Sequence, residues 1–164
     1  MIAIRAAGPD DWPAIWSILA PIIRDGETLA VDPQADELVA QAYWAAPGKS
    51  LFVALDAAGT IVGSYTLRAN AGGPAAHVAN AGYAVRADQR GKGIAQLLCR
   101  HSLEEARARG YRAMQFNLVV STNVRAVRLW QHMGFAIVGT LPGAFRHPRL
   151  GYVDCYVMFQ LLIE

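Results

Sequence analysis

The sequence predicts an α/β fold, a mixed central sheet of about seven strands flanked by about four helices. Three observations carry that reading. Segments alternating with period two interleave with segments whose apolar residues recur every three or four positions. A strand near the middle of the chain runs straight into a glycine-rich turn and then a long helix. Of 164 residues, 54% are hydrophobic, enough to give one domain spanning 1–164 a sizeable core.

Met1 to Ala7 reads as the first strand. Pro9-Asp10-Asp11 then opens a helix in which Trp12, Ile15, Trp16, Leu19, Ile22 and Ile23 share a face, with its end near Gly26. Beyond Asp32-Pro33, Gln34 to Ala45 has the composition of a second helix, closed by Pro47-Gly48. Leu51 to Leu55 and Ile61 to Leu67 read as strands joined by a hairpin at Asp56-Ala57-Ala58-Gly59. A loop from Asn70 to Pro74 precedes another strand, about His77 to Val85, which feeds a helix from about Gly91 to Arg109. That helix turns Ile94, Leu97, Leu98 and Leu103 to a core, carries Glu104/Arg107 and Glu105/Arg109 as exposed pairs, and stops at Gly110. Ala113 to Val120 alternates apolar Met114, Phe116, Leu118 and Val120 with Gln115 and Asn117, which is strand periodicity. A helix capped by Ser121, Thr122 or Asn123 follows, with Ala126, Leu129, Trp130 and Met133 on one face and Gly134 at its end. Phe135 to Thr140 and Tyr152 to Leu161 are the expected closing strands, separated by a loop from Leu141 to Gly151.

Charge narrows the function classes. A net charge of +2 with fifteen Lys and Arg spread along the chain lacks the dense basic block of a nucleic-acid binder. No apolar run approaches the roughly 18 to 20 residues that span a bilayer, and Met1-Ile2-Ala3-Ile4-Arg5 has no basic leader, so a cytoplasmic protein without a membrane partner is expected. Cys99 and Cys155 lie in apolar segments without metal or redox spacing, which makes them free buried thiols and leaves no expected metal.

The turn Arg90-Gly91-Lys92-Gly93-Ile94-Ala95 carries the chemistry. The first turn of a helix leaves main-chain N–H groups unpaired, and those groups attract an anion. Glycines at 91 and 93 allow close approach of a phosphate, while Arg90 and Lys92 add positive charge. A plain basic loop before a helix is the competing reading. Neither a Walker loop nor a dinucleotide fingerprint is present.

The arrangement resembles the GNAT superfamily, whose Arg/Gln-x-x-Gly-x-Gly/Ala signature is matched by Arg90, Gly93 and Ala95. A second block matches as Asn123-x-x-Ala126-x-x-Leu129-Trp130-x-x-Met133-Gly134-Phe135. The resemblance covers essentially the whole chain and implies the GNAT fold and N-acetyl transfer from acetyl-CoA. By it, amides of about Gly91 to Ala95 hold the pyrophosphate, strand 83 to 85, Val85 included, pairs with the pantetheine, and Asn123 contacts the cosubstrate near the thioester. A narrower likeness joins Asn80, the pair Asn117-Leu118 and the tail Gly143-Ala144-Phe145-Arg146-His147-Pro148 to the proline-analogue N-acetyltransferases that detoxify azetidine-2-carboxylate. It implies that Asn80 and the amides of Asn117 and Leu118 bind the carboxylate region of an amino-acid substrate. A homodimer is expected by the same analogy.

An acceptor amine must lose a proton before it attacks a thioester. A strand splayed near Gly82 would free an N–H, about that of Tyr83, for the thioester oxygen, although Gly82 is equally readable as a close-packing position. Trp130 stands where many members have a tyrosine proposed to protonate the leaving thiolate. Indole is only an N–H donor, so Trp130 is expected as a core or cofactor-wall residue. Tyr83, His77, His147 and Glu27 are the candidate proton carriers, each with a structural alternative, and Glu27 falls where the resemblance places the substrate entrance, near Tyr43 and Trp44. The competing functions are acetylation of a protein N-terminus or lysine, and a non-catalytic acyl-CoA sensor.

Overall fold

The computed structural model describes residues 1–163; Glu164, the last residue of the expected domain, lies outside them. Seven strands form one sheet in the order β1-β2-β3-β4-β5-β7-β6. They are β1 (Ala3–Ala6), β2 (Ser50–Leu55), β3 (Ile61–Ala69), β4 (Val78–Val85), β5 (Ala113–Val120), β6 (Ala136–His147) and β7 (Gly151–Leu161). Every neighbouring pair is antiparallel except β4 and β5. Helices α1 (Trp12–Asp25) and α2 (Glu37–Trp44) cover one face, and α3 (Ile94–Ala108) and α4 (Val124–His132) the other. The expected α/β sheet with four helices is therefore present.

Two cores follow from strand alternation. Ile15, Ile18, Leu19, Ile23, Ala40 and Trp44 meet Val53 and Ala84 on the α1/α2 face. Leu98, Cys99 and Leu103 of α3 and Val127 and Trp130 of α4 meet Tyr65, Ala81, Met114 and Phe116 on the other. Helix α1 ends where Gly26 adopts φ 65 and its N–H returns to Ile23 O at 3.1 Å, a left-handed stop that suits glycine.

Three expectations are corrected. Helix α2 begins at Glu37 rather than Gln34, because Asp36 Oδ1 accepts the Val39 N–H at 2.9 Å and fixes the N-cap there. The pair expected between Glu104 and Arg107 is absent; Arg107 Nε instead donates to Leu162 O at 3.3 Å, while Arg109 does pair with Glu105 at 3.0 Å. The loop expected from Leu141 to Gly151 is mostly strand, since β6 continues to His147 and only 148–150 turn. Pro142 and Gly143 mislead here because β6 is the edge strand and its register against β7 shifts between Leu141 and Phe145. A proline in such an edge bulge removes no ladder bond, and Gly143 N–H is satisfied by Asp154 Oδ1 at 2.9 Å. No helix among the described residues is long and apolar enough to cross a membrane.

Candidate active site

The site begins where the sheet comes apart. Strands β4 and β5 share two register pairs, Val78↔Ala113 and Ala79↔Met114, and then diverge. In β4 the even-numbered residues turn their main chain to β3, as Arg86 N–H donates to Val62 O at 2.9 Å and Val78 O accepts from Asn70 N–H at 2.8 Å. By strand alternation the N–H groups of Ala81, Tyr83 and Val85 face the opening. On β5, Gln115 O points into the same gap and accepts Asn80 Nδ2 at 2.9 Å. The side-chain amide thus occupies a rung that Ala81 N–H would fill in a continued ladder, so the parting does not orphan Gln115 O. Beside it, the register of β5 against β7 shifts between Phe116 and Val119, which places Asn117 and Leu118 in a bulge. The Asn117 side chain is engaged by Asn70 Oδ1 at 2.7 Å and Gln115 Nε2 at 2.9 Å, so its main chain is the part left to a ligand.

A cleft of about 700 Å³ runs through this opening. At one end it meets the start of α3, where Gly91 and Gly93 adopt φ 80 and φ 78. Gly93 takes the N-cap position with nothing within 4 Å of where a Cβ would stand. The first main-chain bond into the helix is Leu97 N–H to Gly93 O at 3.1 Å, and no main-chain carbonyl among the described residues accepts from Gly91 through Gln96. Free N–H groups at a helix mouth with basic neighbours make an anion site. Lys92 Nζ is held by Gln89 Oε1 at 3.0 Å, and Arg90 is exposed. Asp88, the nearest acid in sequence, is occupied by Arg86 at 2.7 Å.

The floor of the cleft is aromatic. Trp130 lies 4.9 Å from the Tyr83 ring and 5.2 Å edge-on from Phe116, and is 9% exposed. It is both core and wall. The Tyr83 hydroxyl turns away from the cleft to Ser102 Oγ at 2.6 Å, and burial pushes its pKa well above the ordinary tyrosine value. That phenol is unsuited to accept a proton near neutral pH, which leaves the Tyr83 main-chain N–H as the group that faces the opening. Asn123 lines the cleft and caps α4, its Oδ1 accepting the Ala126 N–H at 3.4 Å.

The opposite end is lined by Glu27, Tyr43, Trp44, Lys49, Arg68 and Asn80. Trp44 is buried with its Nε1 on Ser64 Oγ at 3.2 Å, and a Cβ on Gly82 would stand 3.6 Å from its ring. Gly82 is therefore a snug position beneath Trp44 as well as part of the parting strand. Glu27 Oε1 meets Arg149 Nη2 at 2.5 Å, tying the α1–α2 connection to the β6–β7 turn. Buried His147 accepts the Arg149 and Leu150 N–H groups on Nδ1, each at 3.2 Å, so it organises that turn. His77 stands outside the cleft with Nδ1 3.1 Å from Pro74 O.

Sequence reasoning passed over Arg125, Arg68 and Lys49. Arg125 reaches the turn from α4, its Nη2 3.6 Å from the position of a Cβ on Gly91. Its place two residues beyond the Asn123 cap is the only sequence signal that could have found it.

The model of the acetyltransferase (GNAT) family matches residues 12–135, and the chain belongs to that family. It is 33% identical over 145 residues to an L-methionine sulfoximine/L-methionine sulfone acetyltransferase of Pseudomonas aeruginosa, covering 85% of this chain and 83% of that one. It is also 33% identical over 99 residues to an N-acetyltransferase of Schizosaccharomyces pombe, and there it spans only 47% of the relative's length. Among solved structures, a GCN5-related N-acetyltransferase from Kribbella flavida superposes with a TM-score of 0.91 at 43% identity, covering 98% of this chain and 97% of that one. A phosphinothricin acetyltransferase from Sinorhizobium meliloti in complex with acetyl-CoA shares the fold at a TM-score of 0.84 and 20% identity, over 98% and 88% of the two chains.

Proposed function

We propose that the protein transfers the acetyl group of acetyl-CoA to the amine of a small molecule, an amino acid or close analogue, by direct attack within a ternary complex. The observation that carries this reading is the run of unpartnered N–H groups from Gly91 to Gln96, opening onto a cleft that continues through the sheet between β4 and β5. A diphosphate fits the N–H array, with Arg90, Lys92 and Arg125 adding charge. An extended amide-bearing arm fits the ladder groups of Tyr83 and Val85 as an added strand would. Trp130 walls the acyl end.

Acetyl-CoA supplies an activated acyl group on a thiolate that leaves without a strong acid, because a thiol pKa of about 8.5 is low. The chain does the rest by positioning. Tyr83 N–H would hydrogen-bond the acyl oxygen as charge grows on it, the Nδ2 of Asn123 would donate to the departing thiolate, and Glu27 would attract the incoming ammonium. That ammonium gives one proton to water before attack and a second to the thiolate as the amide forms. Asn80, Asn117 and Leu118 border the acceptor. The relative that acts on methionine sulfoximine and methionine sulfone supports an amino-acid-sized acceptor.

The test is thiol release from acetyl-CoA across a panel of amino acids that includes methionine sulfone, methionine sulfoximine and azetidine-2-carboxylate. Release with at least one is expected. Tight acetyl-CoA binding without release for any amine would support a sensor, and release with peptides alone would support a protein acetyltransferase.

A further inference from the structure

We propose that Arg68, assisted by Lys49, is a carboxylate anchor, so that the acceptor is an amine bearing an anionic group and its decarboxylated counterpart is a poor substrate. This deepens the acetyl-transfer reading and rests on it for turnover.

Arg68 on β3 is the register partner of Asn80 on β4, so the two side chains stand together on the α1/α2 face of the sheet. Both line the cleft. Arg68 is half-buried, yet among the described residues its guanidinium has no ion pair and no hydrogen bond: the four ion pairs belong to Arg5, Arg86, Arg109 and Arg149. A planar fork of five N–H donors left idle in a cleft beside the proposed acceptor position is matched by a carboxylate, which it binds through two parallel hydrogen bonds.

Lys49 adds a second cation without a carboxylate. Its Nζ donates to Tyr43 O in the last turn of α2 and sits over the Tyr43 ring, 4.7 Å from the centroid. The helix terminus accounts for Lys49 alone but leaves Arg68 unexplained. Arg68 and Lys49 line the same cleft, and burial, then the nearby Arg68, hold the Lys49 pKa below the ordinary lysine value. An anion between them offsets both charges. The acids that line the cleft are Asp25 at the end of α1 and Glu27 in the connection after it, the latter bound to Arg149, and neither pairs with Arg68 or Lys49. The cleft thus carries both signs, as a zwitterion requires, with cations on β3 and just before β2 and carboxylates at and after the end of α1.

The experiment compares each amino acid of the panel with its decarboxylated amine, by turnover and by calorimetric binding, in the parent protein and in Arg68→Gln, Arg68→Lys and Lys49→Met. The parent is expected to favour the amino acid. Arg68→Gln should raise its KM about 10- to 100-fold, the loss expected of a charge-assisted contact, and erase most of the preference. Arg68→Lys should recover part of the affinity, since it restores charge without the fork, and Lys49→Met should give a smaller increase. Thermal melts and acetyl-CoA binding separate these effects from misfolding. A parent protein that binds and acetylates the two partners equally, or an Arg68→Gln protein that keeps the preference, overturns the anchor. Failure of every amine to release thiol refutes the transferase reading instead, and the binding arm then still decides the anchor by whether the preference survives Arg68→Gln.

Discussion

The side-chain amide of Asn80 and the main-chain carbonyl of Gln115 meet at 2.9 Å where the ladder between β4 and β5 stops. A polar side chain standing in for a main-chain rung ends the pairing of two strands while keeping the Gln115 carbonyl satisfied. Asn80 thereby joins the architecture of the cleft to its proposed acceptor end.

Asn80→Ala is expected to destabilise the fold by about 1–3 kcal/mol, because it strips the partner from Gln115 O. Urea unfolding measures this. The same variant should raise the acceptor KM or lower kcat while sparing acetyl-CoA affinity; an equal loss for both ligands would show that the damage is to the fold rather than to the acceptor site.

At the helix mouth, charge and backbone strain can be separated. Gly93→Ala imposes only the cost of a left-handed β-carbon, about 1–2 kcal/mol, since the space around it is open. Gly93→Glu adds a carboxylate against the proposed diphosphate and should abolish acetyl-CoA binding by calorimetry. Equal affinities in the two variants would mean that no anion sits there.

Trp130→Ala should lower stability by about 3–5 kcal/mol, the range for emptying a buried aromatic site, read by denaturant midpoint. Trp130→Phe keeps the contacts with Tyr83 and Phe116 and should lose far less. A collapse of kcat in the Phe variant, with stability and acetyl-CoA affinity kept, would give the indole N–H a chemical role.

Cys99 sets an alkaline limit. Burial pushes its thiol from the ordinary 9.0 up to about 12, so the folded state holds the proton that the unfolded chain releases near pH 9. The resulting stabilisation is complete below that pH and is lost as pH rises toward 12. The Tyr83 phenol, raised by the same burial, acts in the same direction. Unfolding free energies at pH 8 and pH 10.5 should therefore fall more in the parent than in Cys99→Ala, and a thiol reagent at pH 8 should label Cys99 only after denaturation.

Much of this was legible in the chain because local rules and tertiary packing agree. The strand, glycine turn and helix from 78 to 108 could be read directly, since Gly91 and Gly93 sit where left-handed dihedrals are required. The continuation of β6 past Pro142 was not, because a proline is a breaker only where its missing N–H would have bonded, and on an edge strand that depends on the neighbour. The direction of the Tyr83 hydroxyl was equally hidden: period two puts Tyr83 on a face but does not reveal Ser102 waiting on α3. Arg68 was invisible for a third reason. A lone arginine in a strand acquires meaning only when its cross-strand neighbour and its lack of an ion pair are known.

The short parallel pairing of β4 with β5 has a mechanical corollary. With just two register pairs joining them, the β1–β4 and β5–β7 slabs meet at a seam floored by the rings of Tyr83, Phe116 and Trp130. On the proposed reading, resizing those rings reshapes the floor and so retunes which acyl lengths are admitted, while leaving the Gly91–Gln96 amides untouched.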